Sequence, residues 1–170
     1  MNQPYDIFFT GSTNPRECIM IGGIRGTEDA IYLEFRTPNI PAAETQTTVL
    51  RNGQTLVATF EWTMSFHLGM ATVGTRRIHM SELVQPGIHS NCRVFQTADG
   101  QVFHWRRLNT LNGYDVRTEV NVVAHFRNEM TNSPIGPCHA HMQSWLADDT
   151  HLLYASLSLC LNRWIDWQGM

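Results

Sequence analysis

Residues 148–170 read DDTHLLYASLSLCLNRWIDWQGM, and the fold turns on how this stretch is taken. Asp148, Asp149 and Thr150 bring helix-start chemistry: their side-chain oxygens accept from first-turn amides, and their charge suits the positive end of the dipole. Behind them Leu152, Leu153, Ala155, Leu157, Leu159, Cys160, Leu161, Trp164 and Ile165 are apolar, and only Ser156, Ser158 and Asn162 interrupt them. Wrapped at ~100° per residue, they leave no broad polar side, so the helix must be enclosed. It spans roughly 27 Å, but its unbroken apolar run is far shorter than the ~20 residues a bilayer requires. The stretch is therefore expected to be a core helix over about 148–167, stopped by Gly169.

A chain of 170 residues is read as one domain, 1–170, long enough to bury a sizeable core. Its net charge of −3 argues against a nucleic-acid partner, which needs a basic surface to displace counterions. All twelve basic residues are arginines. That excludes an internal lysine Schiff base or a P-loop lysine, and arginine is the better residue for gripping carboxylate or phosphate. The opening MNQPYDIFFTG is strand-like rather than a secretory signal, and Cys18, Cys92, Cys138 and Cys160 lie far apart. Free thiols in a cytoplasmic, reducing setting are expected.

Upstream of the helix the pattern has period two. Tyr5–Thr10 and Cys18–Ile21 read as strands around the turn GSTNP, followed by a glycine-rich turn at Gly22–Asp29. Ile31, Leu33 and Phe35 share one face of the next run, and TPNIPAAETQ reads as a loop. Leu56, Ala58, Phe60, Trp62, Met64, Phe66 and Leu68 then alternate with polar residues. That marks a strand buried on its even-numbered face, long enough to need a bulge or break near Trp62. Arg93–Thr97 and Gln101–Arg107 flank Asp99-Gly100 as a hairpin, Val120–Phe126 is a further one-sided strand, and TNSPIGP is a linker. Many antiparallel strands with one terminal apolar helix predict a mainly β fold: a closed antiparallel β-barrel whose lumen the helix fills.

The run Arg93-Val-Phe-Gln-Thr-Ala-Asp-Gly-Gln-Val-Phe-His-Trp carries a resemblance. It is similar to the pattern R-x-F-x-x-x-D-G-x-x-[YF]-x-W of an uncharacterised family of proteins of mushroom-forming fungi, in which a V-A-x-[FY] strand and an apolar C-terminal helix follow. Arg93, Phe95, Asp99, Gly100, Phe103 and Trp105 match, as do Val123–Phe126 and Leu152–Trp164. Leu56–Trp62 resembles the family's first half, so the likeness covers roughly the chain beyond Phe8. That family resembles the tubby C-terminal-like and phospholipid-scramblase-like barrels. The likeness implies the closed barrel again, and implies a phosphoinositide-type ligand held by basic residues, here all arginine.

Eight histidines invite acid–base or metal chemistry. Strand parity puts His67, His104 and His125 outside if the aromatic face is inward. His104 and His125, with the acidic Asp115 and Glu119, are the catalytic candidates. Arg106, Arg107, Arg117 and Arg127 near them form a candidate cationic patch for carboxylate or phosphate. Cys138, His139 and His141 offer imidazoles and a thiolate in a linker, a metal site only if His151 or His89 folds in. No metal or cofactor is expected to reside there. Arg93 and Asp99 read as turn support.

These residues lead to a non-enzymatic, cytoplasmic ligand- or partner-binding barrel. Its ligand would be an anionic lipid or a small hydrophobic or anionic molecule, with peripheral membrane contact as the limit of any lipid role. The alternative is an enzyme using histidine and acidic residues such as Asp115, Glu119 or Asp148 on a similar compound at the barrel rim. The strand register is directly testable. Phe60→Asp buries a charge without a partner and should abolish soluble folded protein. Thr59→Asp should cost no more than about 1 kcal/mol in urea melts. Equal tolerance would refute the register.

Overall fold

The structure is a computed structural model that describes residues 4–22, 31–38, 45–63, 67–109, 112–133 and 136–170. The first strands are β1 (Tyr5–Gly11), β2 (Cys18–Gly22), β3 (Ile31–Arg36), β4 (Thr45–Arg51) and β5 (Thr55–Trp62). β6 (Met70–Val73), β7 (Arg76–His79), β8 (Gln85–Pro86), β9 (Cys92–Gln96) and β10 (Val102–Leu108) follow. Then come β11 (Gly113–Arg117), β12 (Val122–Arg127), β13 (Thr131–Ser133), β14 (Gly136–Cys138), β15 (Ala140–Ser144) and the helix α1 (Asp149–Gln168). Among the described residues thirteen strands form one antiparallel sheet in the order β7-β6-β5-β4-β3-β2-β1-β15-β12-β11-β10-β9-β8, and β13 pairs with β14 as a separate two-stranded ribbon.

The sheet is open, which overturns the closed barrel expected from the sequence and from the resemblance. Its edges are β7 and β8, and the chain between them explains why no ladder joins them. Met80–Leu83 coils into a 3-10 turn whose start is capped by local hydrogen bonds. Ser81 N–H donates to His79 Nδ1 at 3.2 Å, and Glu82 Oε1 accepts from the His79 N–H at 3.3 Å. β8 is two residues long and ends in Pro86, which has no N–H to donate. The turn instead inserts side chains: Met80 and Leu83 are fully buried, and Ser158 Oγ of α1 donates to the Leu83 carbonyl at 2.6 Å.

Within this sheet α1 lies enclosed, and every residue from Tyr154 to Asn162 is buried. Asp148 caps its start by accepting from His151 N–H at 3.0 Å. Gly169, at φ +70°, turns it off in the left-handed region that glycine tolerates best. The polar interruptions are all satisfied. Ser156 donates to Leu152 O at 2.8 Å, and Asn162 Nδ2 to Ser158 O at 3.0 Å. Among the described residues no helix is long and apolar enough to cross a membrane.

The hairpin over β9 and β10 has the expected register, with Val102 opposite Gln96 and Gly100 at φ +88°. The long alternation breaks where its length required: β5 ends at Trp62, and Ala58, Phe60 and Trp62 are buried. Leu56 departs from the expected face and is 58 % exposed. Val49 pairs with Ala58 while the next residue, Leu50, pairs with Leu56, so a bulge at Val57 resets the side-chain alternation. Met64 and Phe66, the glycine-rich turn after Gly22 and most of the proline-containing loop lie outside the described residues. β4 was not anticipated, and the described parts of TNSPIGP pair as strands, Thr131–Ser133 in β13 with Gly136 and Pro137 in β14, rather than forming a linker into the helix.

Core burial of this kind is worth about 1.5–3 kcal/mol per large side chain, so α1 supplies much of what holds the sheet folded. A chain ending at residue 147 should therefore be insoluble, or compact with ANS-binding and no near-UV circular dichroism. Leu157→Arg in the full chain should behave likewise. A folded, soluble fragment would show that the sheet stands without its helix.

Candidate functional site

A cleft of about 870 Å³ opens where the C-terminal half of α1 meets the ends of β10, β11 and β12. That volume is within the range of small-molecule sites. Arg107 and Tyr114 come from the strands, His139 from the bend between β14 and β15, and Arg163, Asp166 and Trp167 from one face of the helix. Gly113 lets β11 lie close against β12 there, since a Cβ on it would stand 2.2 Å from the Phe126 carbonyl oxygen.

On one side of the site a single carboxylate offsets part of the charge of two arginines. The Asp166 carboxylate takes Arg93 Nη2 at 3.2 Å, Arg107 Nη1 at 3.8 Å and the Tyr114 hydroxyl. Burial and this carboxylate push the Tyr114 hydroxyl well above its ordinary range, so it serves as a donor. Arg93 Nη1 also donates to Asn162 Oδ1 at 2.9 Å, which ties β9 to the core helix. A recess of about 30 Å³ lies behind this group. The buried Trp105 Nε1–H on its wall finds no hydrogen-bond partner among the described residues.

The other side is not neutralised. The Arg163 guanidinium lies 5.1 Å from the Phe126 ring centroid and 5.6 Å from that of Phe9, and donates to the Thr13 carbonyl at 3.5 Å. Among the described residues no carboxylate forms a salt bridge with it. Beside it, His139 Nε2 is buried without a hydrogen-bond partner among the described residues. Burial, and then the charge of Arg163, lower the pKa of His139 from its ordinary 6.5. On the same half of the helix, Arg16 is sandwiched 4.6 Å from Trp62 and 4.7 Å from Trp164 and donates to Thr45 Oγ1 at 2.7 Å.

The residues proposed from the sequence divide between two surfaces. Arg107 shares strand parity with Phe103 and Trp105 and turns into the cleft. Arg106, Arg117 and Arg127 stand on the outer face with His104 and His125. There Asp115 and His125 are cross-strand neighbours, joined Oδ1 to Nδ1 at 2.7 Å, and Arg127 Nη1 reaches the same oxygen at 3.2 Å. Glu119 is exposed in the following turn and does not join them, and Asp148 caps the far end of α1.

Cys138, His139 and His141 are separated by strand structure. The Cys138 thiol is buried, with its Sγ 3.7 Å from Gly136 O, and His139 faces the cleft. His141 lies on β15, stacked 4.8 Å from Phe8 and bonded to Asp6 at 3.0 Å. Among the described residues no three His, Cys, Asp or Glu side chains gather as metal ligands. Arg93, read from sequence as turn support, instead grips the helix. Its parity with Phe95 was the available signal. Arg163 and Asp166, three residues apart on α1, carried no such mark.

The His139 shift has a definite sign. Its folded pKa is depressed, so below about 6.5 the unfolded chain takes up the proton more readily, and the native state loses stability as pH falls. His139→Gln should therefore show a shallower loss of unfolding free energy between pH 7.5 and 5.5 than the parent chain, measured by urea melts. Parallel slopes would show that this imidazole is not held neutral by its surroundings.

No curated protein and no solved structure matches the chain. A family described as "Family of unknown function (DUF6593)" matches residues 13–153, which run from the turn after β1 through β15 to the first turn of α1. The chain therefore belongs to the DUF6593 family of unknown function.

Proposed function

We propose that this protein is a non-enzymatic binding protein that holds a small anion, a carboxylate or phosphate, in the cleft at the C-terminal half of α1. One observation carries the reading: Arg163 and His139 line the same cleft, the first without a carboxylate among the described residues and the second with a buried, unpartnered nitrogen. An anion between them would satisfy both, and would return to His139 the proton that burial and Arg163 withdraw. Arg107 adds a second guanidinium at the mouth, where its side chain is 59 % exposed.

Acid–base catalysis is less well served. The carboxylate in the cleft, Asp166, is already held by two arginines and a tyrosine. The Asp115–His125 pair stands on the outer face of the sheet. The four unpaired cysteines fit a reducing compartment, in keeping with a cytoplasmic protein.

A free metabolite and a lipid headgroup present the same anionic chemistry, and the test separates them. Sodium phosphate and sodium acetate, at ionic strength matched with sodium chloride, should raise the melting temperature. A ligand at 100 times its Kd adds ~2.7 kcal/mol. The increment should shrink in both Arg163→Gln and His139→Gln. Co-sedimentation with phosphatidylserine vesicles, lost in the same variants, would identify a headgroup as the source. Equal melting temperatures in phosphate, acetate and chloride, with no vesicle binding, would refute the proposal.

A further inference from the structure

The cleft carries more than an anion requires. Of the large apolar side chains exposed among the described residues, Met130 at 73 % and Trp167 at 56 % both line it. Scattered single exposures are ordinary on a protein surface. Two beside a half-buried, uncompensated arginine are a more specific arrangement. Nor is the indole loosely placed. Trp167 stands edge-on to Trp164, centroids 5.8 Å apart and planes at 76°, and Trp164 in turn packs on the buried Arg16. The chain therefore presents a braced aromatic surface to solvent, and aromatic surfaces of that kind gain most when a flat apolar group covers them. The volume points the same way, because about 870 Å³ is far more than a bare phosphate or acetate fills.

Charge sets the other end of the ligand. Asp166 offsets one of the two charges of Arg93 and Arg107, so about one positive charge remains there and a second on Arg163, with His139 able to add one proton. Two to three charges match a single phosphate monoester, which carries about −1.5 to −2 near neutral pH, or a single carboxylate, rather than a polyanion. Resting on the anion-binding reading above, we infer that the ligand is an amphipathic monoanion or monoester: a flat apolar body carrying a single phosphate or carboxylate. Its anionic group meets Arg163 and His139, and its body covers Trp167 and Met130.

Three probes test this on the full chain by calorimetric titration: inorganic phosphate, 1-naphthyl phosphate and 1-naphthol. Naphthyl phosphate should bind on the order of tenfold tighter than inorganic phosphate, and naphthol far more weakly than either. Trp167→Ala should remove about that tenfold gain, and Trp167→Phe should restore most of it. Because Trp167 is more than half exposed, both variants should keep the parent far-UV circular dichroism. If naphthyl phosphate binds no tighter than a phosphate that does bind, the inference fails and the anion site stands. If naphthol binds as well as naphthyl phosphate, the site is apolar rather than amphipathic, and the inference is overturned. If neither phosphate binds, the anion-binding reading fails and this one falls with it.

Discussion

An apolar helix with no polar side has to be surrounded, and most of this fold follows from that demand. The chain meets it with one antiparallel sheet, whose inward residues on nearly every strand bury against α1 or against each other. The few polar atoms on the helix cannot be left unpaired at such depth, since each would cost roughly 1–3 kcal/mol. They dictate specific cross-connections. Ser158 fixes the 3-10 turn, and Asn162 accepts from Arg93 on β9. Asp166, one turn further on, collects Arg93, Arg107 and Tyr114. The buried helix is thereby held in axial position and rotation, which hydrophobic contact alone does not specify.

Enclosure does not require closure of the ladder. Between the edge strands, Met80 and Leu83 seal the core with side chains while the backbone of Met80–Leu83 bonds to its caps, to Gly69 and to Ser158 of the helix rather than across to an edge strand of the opposite end. The edges of an open sheet are a liability for unwanted pairing. Here β7 is four residues long and rich in charge, while β8 is a proline-ended pair of residues. Both edges are poor templates for another strand. The expectation of a closed barrel treated the wrapping of a helix and the closing of a sheet as one event. A single helical turn in the last position separates them.

What could be read beforehand was whatever depended on local periodicity. The core helix, the Asp-Gly hairpin and the inward set of Ala58, Phe60 and Trp62 all have a pattern that does not need partners to be seen. β4 escaped notice because its buried residues include Thr47, a hydroxyl residue that is polar in sequence but satisfied inside by Trp62 Nε1 at 2.8 Å and by Thr37 at 2.6 Å. Leu56 was misplaced because one extra residue in a strand reverses every side chain beyond it. For the site, the four clustered arginines were treated as a patch, yet adjacent strand residues point to opposite faces. Arg106 and Arg107 therefore never shared a surface. Arg163, Asp166 and Arg16 became visible only when distant segments met, because nothing within α1 or the first turn distinguishes a cation that will be packed on aromatic rings.

That packing also gives physical content to a composition in which every basic residue is arginine. Arg16 lies between two indoles and Arg163 over two phenyl rings, while Arg93 spans an amide and a carboxylate with separate nitrogens. Each use depends on a planar, delocalised cation with donors at its edge and faces that tolerate burial. An ammonium is a compact, strongly hydrated charge that cannot fork to two acceptors in fixed geometry, and burial readily removes its proton. Lysine would lose the function at these three positions for different reasons in each. The same property shapes the cleft. Because Arg163 is held by ring faces and a carbonyl rather than by a carboxylate, its charge is positioned without being cancelled. That is the condition under which a fixed cation can attract a mobile anion instead of a neighbouring side chain.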